Sequence, residues 1–195
     1  YMVIKTREKL IEVARQLFAY KGIENTTMND IANASEKGRR TIYTYFKNKK
    51  EIYNAVIEQE SELSVSKLRE IITLNITPVE KLRRFLEVRF DIIKDSNLGQ
   101  NDPLRRFIMR DIKRVEKIRR LALEKEREIL NAIIEEGILF GFFDKNQCEN
   151  FESLRLMVVQ GVDFSYIRDN FLEIGIDKDR LINNIIDFII KGLKL

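Results

Sequence analysis

Apolar residues recur every three or four positions along nearly the whole chain, and only two prolines and eight glycines interrupt them. That period puts side chains on one face of an α-helix, whereas strands need alternation at every second residue, which is scarce here. The expectation is an all-α protein. With 195 residues there is enough chain for a small domain and a larger one, each with its own core.

Turn and cap signals divide the pattern into nine or ten helices. The first runs from about Lys5 to Tyr20, with Leu10, Val13, Ala14, Leu17 and Phe18 as its apolar stripe, and Lys21-Gly22 closes it. Thr26-Thr27 offers an N-cap for a second near Met28–Ala34. A third spans roughly Gly38–Phe46, and Asn48 caps a longer fourth from Lys49 to about Leu74. Pro78 marks a fifth reaching about Asp95, and Asp102-Pro103 restarts helical pattern to about Leu139. Two more follow, Glu149–Phe171 and Asp179–Leu193. The expected division is an N-terminal helix-turn-helix domain over residues 1–48 and a larger C-terminal domain over 49–195.

Residues 26–52 stand out. Two short helices joined by a turn at Ser35-Glu36-Lys37-Gly38 form the unit that lays its second helix in a DNA major groove. From Lys37 to Lys50 there are six basic side chains and no acidic one. Ile42 and Phe46, four apart, are expected to face the core. Arg40, Thr41 and Thr44 then point outward, with Arg39, Tyr43 and Tyr45 on the flanks. Arginine forks onto guanine, threonine meets a phosphate or a thymine methyl, and tyrosine hydroxyls and Lys49 suit phosphate oxygens. The amides at Thr27, at a helix start, suit a phosphate as well.

Charge supports this division. Residues 1–50 hold 11 Lys/Arg against 5 Asp/Glu, while the rest of the chain is slightly acidic, with 24 against 26. A basic head on a mildly acidic body is the electrostatic footprint of a nucleic-acid binder. Histidine is absent, which removes Ser-His-Asp and Cys-His catalysis and histidine metal sites. No nucleophile with a base, no metal-ligand set and no phosphate-cradling glycine loop is visible, so neither an enzyme nor a cofactor is expected. One cysteine excludes an internal disulfide, and no apolar run of about 18 residues suggests a membrane span. The opening YMVIKTREKL lacks the apolar core of a signal peptide, and Met2 is expected to be the natural start. A cytoplasmic protein is expected.

Residues 5–53 resemble the N-terminal domain of the TetR (tetracycline-repressor-type) family of bacterial transcription regulators. The resemblance is carried by Arg7, Ala14, Leu17, Phe18, Lys21-Gly22, Thr26-Thr27, Ile31-Ala32 and the run Thr41 to Lys49, TIYTYFKNK, against the family's TLYxYFxxK. By matching position the resemblance places base contacts on Arg39, Arg40, Thr41 and Thr44, and phosphate contacts on Thr27, Tyr43, Tyr45 and Lys49. The chain departs from the family at the turn, where glycine, a small apolar residue and serine are usual and Glu36, Lys37 and Gly38 stand here.

The resemblance also implies a homodimer on a palindromic operator in double-stranded DNA, with the last two helices forming the interface. Leu154, Val158, Gly161, Ile182, Ile186 and Ile189 are the candidates for it. It further implies a cavity for a small-molecule effector, with Phe85, Phe107, Met109, Phe140, Met157 and Phe164 as candidate lining. A basic run from Leu104 to Arg127 suggests an anionic effector near Arg105, Arg106 and Arg110, or simply a solvated face with Glu116–Arg120 and Glu124–Arg127 pairs. The expected function is that of a ligand-modulated, sequence-specific transcription regulator acting as a repressor. The alternative is a helical dimeric scaffold protein that binds DNA only non-specifically.

Overall fold

A computed structural model of the chain describes residues 2–98, 112–168, 175 and 177–194. Among them the regular structure is helical: α1 (Met2–Lys21), α2 (Met28–Ala34), α3 (Arg39–Tyr45), α4 (Lys49–Glu70) with a short 3-10 turn at Ile71–Thr73, α5 (Pro78–Leu98), α6 (Ile112–Leu139), α7 (Lys145–Arg168) and α8 (Lys178–Leu193).

Side-chain caps fix most of the starts. Thr27 Oγ1 accepts from the Asp30 amide at 3.1 Å while the Thr27 amide donates to Asp30 Oδ2 at 2.7 Å, a reciprocal capping box. Thr77 and Glu80 repeat it around Pro78, at 3.3 and 2.9 Å. Asn48 Oδ1 accepts from the Glu51 amide, Asp144 Oδ1 from Gln147, and Asp177 Oδ1 from Asp179 and Arg180. Each cap satisfies amides that the helix leaves orphaned, a contribution of about 1 kcal/mol.

The chain forms two compact units, Tyr1–Leu63 with Leu98–Arg120, and Ser64–Asn97 with Leu121–Leu195. In the first, Leu10, Ala14 and Phe18 of α1, Met28 and Ile31 of α2, and Ile42 and Phe46 bury one core. Ile52, Tyr53, Val56 and Ile57 belong to that same core, so the first half of α4 is part of the unit and the division falls inside α4 instead of ahead of it. Phe18 and Tyr53 pack edge to face, with ring centres 6.2 Å apart.

In the second unit the core is built from Val65, Leu68, Leu82, Phe85, Leu86 and Phe90, from Ile129, Leu130, Ile133 and Ile134 of α6, and from Ile186, Ile189 and Ile190 of α8. It also encloses charge. Arg89 of α5 is 4% exposed and holds Asp163 of α7 through two bonds, 3.2 and 2.9 Å, and Glu126 of α6 at 2.7 Å. Burial works against the guanidinium charge, but the two carboxylates outweigh it and hold the proton more firmly than usual. Three helices are thus tied at one buried ion cluster. Lys81, 6% exposed, adds a second tie to Glu136 at 2.9 and 3.0 Å.

Several expectations need correction here. Phe140 and Met157 are 64% and 74% exposed, so neither lines an interior cavity; one sits in the α6–α7 turn and the other on the outer face of α7. Ile186 and Ile189 are buried in their own chain, because the face of α8 that carries them turns inward. Phe188, 80% exposed, is the large apolar residue of α8 that points out. Phe107, Met109, Arg105, Arg106 and Arg110 lie outside the described residues, as does the side chain of Phe164.

Candidate nucleic-acid interface

The turn between α2 and α3 shows what its sequence departure does. Glu36 occupies the left-handed region at φ +56°, while Gly38 takes an ordinary extended φ of −66° and serves as N-cap of α3. The turn therefore demands a left-handed residue two positions before the glycine. The Glu36 amide donates to Asn33 O and the Lys37 amide to Ala32 O, both at 3.0 Å, and these bonds hold Glu36 in place. A non-glycine residue there costs about 1–2 kcal/mol, partly offset by the extra unfolded-state freedom of glycine. Glu36→Gly is expected to raise stability by about 0.5–1 kcal/mol, read as a higher urea midpoint at unchanged slope. An unchanged or lowered midpoint would show that the turn relaxes in solution.

On α3 the division of faces follows from helical geometry. Ile42 is fully buried and Phe46, its C-cap, is 3% exposed; the Arg7 guanidinium covers the Phe46 ring at 5.4 Å. At 100° per residue, Arg40 and Thr44 each lie about 160° from Ile42, directly away from the core. Both are exposed. Arg39 and Tyr43 lie on one flank, with the guanidinium 5.9 Å from the ring centre. Thr41 and Tyr45, half-buried, lie on the other, where Tyr45 packs against the core. The surface offered is cationic and aromatic, with donors outward and apolar groups inward.

At the margins, side chains expected to hold phosphate are already engaged. The Thr27 amide is bound to Asp30, and its hydroxyl donates to the same carboxylate at 2.8 Å. The Lys49 ammonium donates to the carbonyls of Ile23 at 2.7 Å and Glu24 at 3.4 Å, tying the start of α4 to the α1–α2 loop. Periodicity could not reveal this role, because the loop is 25 residues away in sequence.

Asp30 is the hub of this edge. Its bond from Lys21, at 2.9 Å, and its bonds from the Thr27 amide and hydroxyl lower its pKa from 3.8 to about 2. A carboxyl depressed in the folded state contributes stability that is fully present above about pH 4 and is lost as pH falls toward 2. Urea unfolding between pH 4 and pH 2 should therefore show a shallower loss for Asp30→Asn than for the parent chain. Equal slopes would mean that Asp30 is not held this way.

The second unit contains a cleft of about 370 Å³ lined by Glu87, Phe90, Asp91, Asp179, Ile182, Asn183 and Ile186. Of the candidate pocket residues whose side chains are described, Phe85, Phe140 and Met157, none lines it; Phe85 is a core residue, 3% exposed. Three carboxylates at this cleft do not favour an anion. Among the described residues there is no His/Cys/Asp/Glu group fit to hold a metal ion, and no helix is long and apolar enough to cross a membrane.

Residues 10–56 match the family model for bacterial regulatory proteins of the tetR family. The chain is 38% identical over 96 residues to the probable acrEF/envCD operon repressor of Escherichia coli, an alignment that takes in 46% of this chain but only 41% of that protein. It is 31% identical over 140 residues to the probable HTH-type transcriptional regulator YttP of Bacillus subtilis, covering 70% of this chain and 66% of the relative. Among solved structures it is similar to a transcriptional regulator from Cytophaga hutchinsonii, with a TM-score of 0.68 at 20% identity over 96% of this chain and 98% of the other. It is similar also to the regulator FadR from Bacillus subtilis in complex with stearoyl-CoA, with a TM-score of 0.61 at 22% identity over 95% and 98%. At such identities the structures share the fold.

Proposed function

The chain belongs to the tetR family of bacterial regulatory proteins, and from that premise we propose that it is a dimeric, sequence-specific DNA-binding transcription regulator that acts as a repressor. The observation that carries the reading is α3: an exposed arginine- and tyrosine-bearing face on a helix anchored through Ile42 and Phe46. A single short helix reads too few bases to be selective, so two copies on adjacent half-sites are needed. The pairing surface we assign to the outer faces of α7 and α8, which pack on each other. Leu154, Met157 and Phe188 expose 56%, 74% and 80% of their area there, and Gly161 leaves open space where a side chain would stand. Val158 and Ile182, half-buried, flank it.

An effector in the C-terminal unit would act through α4, which continues from one unit into the other. Such a ligand changes operator affinity only by its differential affinity for the two arrangements, typically about 1–3 kcal/mol of coupling. The FadR structure contains stearoyl-CoA, which makes an acyl thioester one probe to try.

Binding to labelled duplexes, followed by fluorescence anisotropy across a salt series, tests the reading. The parent chain should bind its upstream DNA well above random duplex, with affinity falling steeply as salt rises. Tyr43→Ala should weaken binding to every duplex alike, since a phosphate contact carries no sequence information. Equal affinity for upstream and random DNA, unmoved by Tyr43→Ala, would contradict it.

A further inference from the structure

We propose that base readout is carried by one outward pair on α3, in which Arg40 takes a guanine and Thr44 takes a thymine methyl one or two base pairs away, while Arg39 and Tyr43 hold the sugar–phosphate backbone beside them. The inference rests on the reading of α3 as the groove-inserted helix and names what that helix recognises. Three observations separate these side chains.

The first is direction. Arg40 and Thr44 are the two residues of α3 nearest the pole opposite the buried Ile42, whereas Arg39, Tyr43, Thr41 and Tyr45 sit on the shoulders. A helix lying in the major groove sends its pole to the base edges and its shoulders to the two phosphate walls.

The second is the state of each arginine. Arg39 is drawn along the shoulder by its guanidinium, 5.9 Å from the centre of the Tyr43 ring. Arg40 is exposed, and no acidic residue lies between Lys37 and Lys50 to hold it. Its fork is therefore available for the O6 and N7 of guanine, the pairing its geometry fits.

The third is the Thr44 hydroxyl. Its proton is committed to the Arg40 carbonyl at 3.0 Å, so the oxygen lies back against the helix and the γ-methyl is the group left to project. A projecting methyl meets the thymine C5-methyl, the one apolar feature of the major-groove edge. Arg40 and Thr44 are four residues apart, about 6 Å along the axis. The base-pair rise is about 3.4 Å, so the two contacts fall one or two steps apart.

The test uses the full chain and a half-site obtained by selection from random duplexes. Arg40→Ala should lose preference for guanine at one position by about tenfold and leave the other positions intact. Arg39→Ala should weaken all sequences equally. Replacing the adjacent thymine by uracil removes only the methyl, and the parent chain should bind that duplex about threefold to fourfold less tightly per half-site. Thr44→Ser keeps the back-bonded hydroxyl but lacks the methyl, and it should bind the thymine and uracil duplexes equally. All three side chains are exposed, and unchanged helical circular dichroism and melting confirm that each variant is folded. If Arg39→Ala relaxes the guanine preference instead, or if the parent chain tolerates uracil at every thymine, the assignment is overturned while the regulator reading stands. If selection returns no preferred sequence at all, the regulator reading itself falls.

Discussion

Arg89→Ala is expected to lower the stability of the C-terminal unit by about 3–5 kcal/mol, the cost typical of removing one partner from a buried ion pair. The side chains of Arg89 and Asp163 are 5% and 3% exposed, and that of Glu126 is 14% exposed. Without the guanidinium, two carboxylates from α6 and α7 face each other in a site that water barely reaches. Most of the loss comes from two carboxylates left buried without the guanidinium and little from the lost attraction, so its sign is insensitive to the details of packing. Arg89→Met combined with both Asp163→Leu and Glu126→Leu should recover most of the stability, because apolar replacement of a whole buried ion cluster is often neutral or better. Urea denaturation of the three proteins decides the matter. A loss below about 1 kcal/mol in the single variant would place the cluster in the class of solvated surface pairs.

Gly137→Ala is expected to cost about 2–4 kcal/mol, against the ordinary preference of a helix for alanine. In the interior of a helix such a change gains about 1 kcal/mol. Here the added methyl would overlap the ring of Phe143, which is only 2% exposed. The ring cannot swing away at little cost. The Phe143 amide is bonded to the Gly137 carbonyl at 3.2 Å, Phe143 is bridged to Lys194, and the next amide, Asp144, donates to Leu193 at 2.8 Å. Expelling a buried phenylalanine forfeits about 3–5 kcal/mol, which outweighs the gain from alanine. The double change Gly137→Ala with Phe143→Leu should lose less than the sum of its parts, since the smaller side chain removes the overlap. Thermal melting of the single variant above that of the parent would show that the chain relaxes around the methyl.

What the residues disclosed in advance, and what they did not, follows from the range of the interactions involved. Helix starts were legible because a cap lies within three residues of the amides it satisfies, as at Thr27 and Asn48. The faces of α3 were legible for the same reason, since a helical wheel needs only the local sequence, except that Thr41, expected outward, lies half-buried on a flank. Family membership rested on that contiguous run and is matched by the comparison over residues 10–56.

The hidden features are those that join distant segments. Arg89 has the pattern of a solvated surface charge until Glu126 and Asp163, 37 and 74 residues away, close around it. Gly137 is unremarkable until Phe143 folds back over it. Phe140 and Met157 passed as pocket lining because composition gives hydrophobicity without direction, and in the fold they point outward. The left-handed turn at Glu36 was hidden for another reason. Glycine usually marks such a conformation, but here the neighbouring backbone bonds impose it on a residue that resists it.

As a dimeric reader, the chain would present two copies of α3 to successive turns of one duplex. Selection from a random-duplex pool by the purified full chain, followed by sequencing of the retained DNA, measures this most directly. The expected result is an inverted repeat whose half-site centres lie one helical turn apart, about 34–36 Å, or a multiple of it. Salt-sensitive retention of DNA with no repeated sequence would contradict it, and would mark the chain as a helical protein that meets nucleic acid through charge alone.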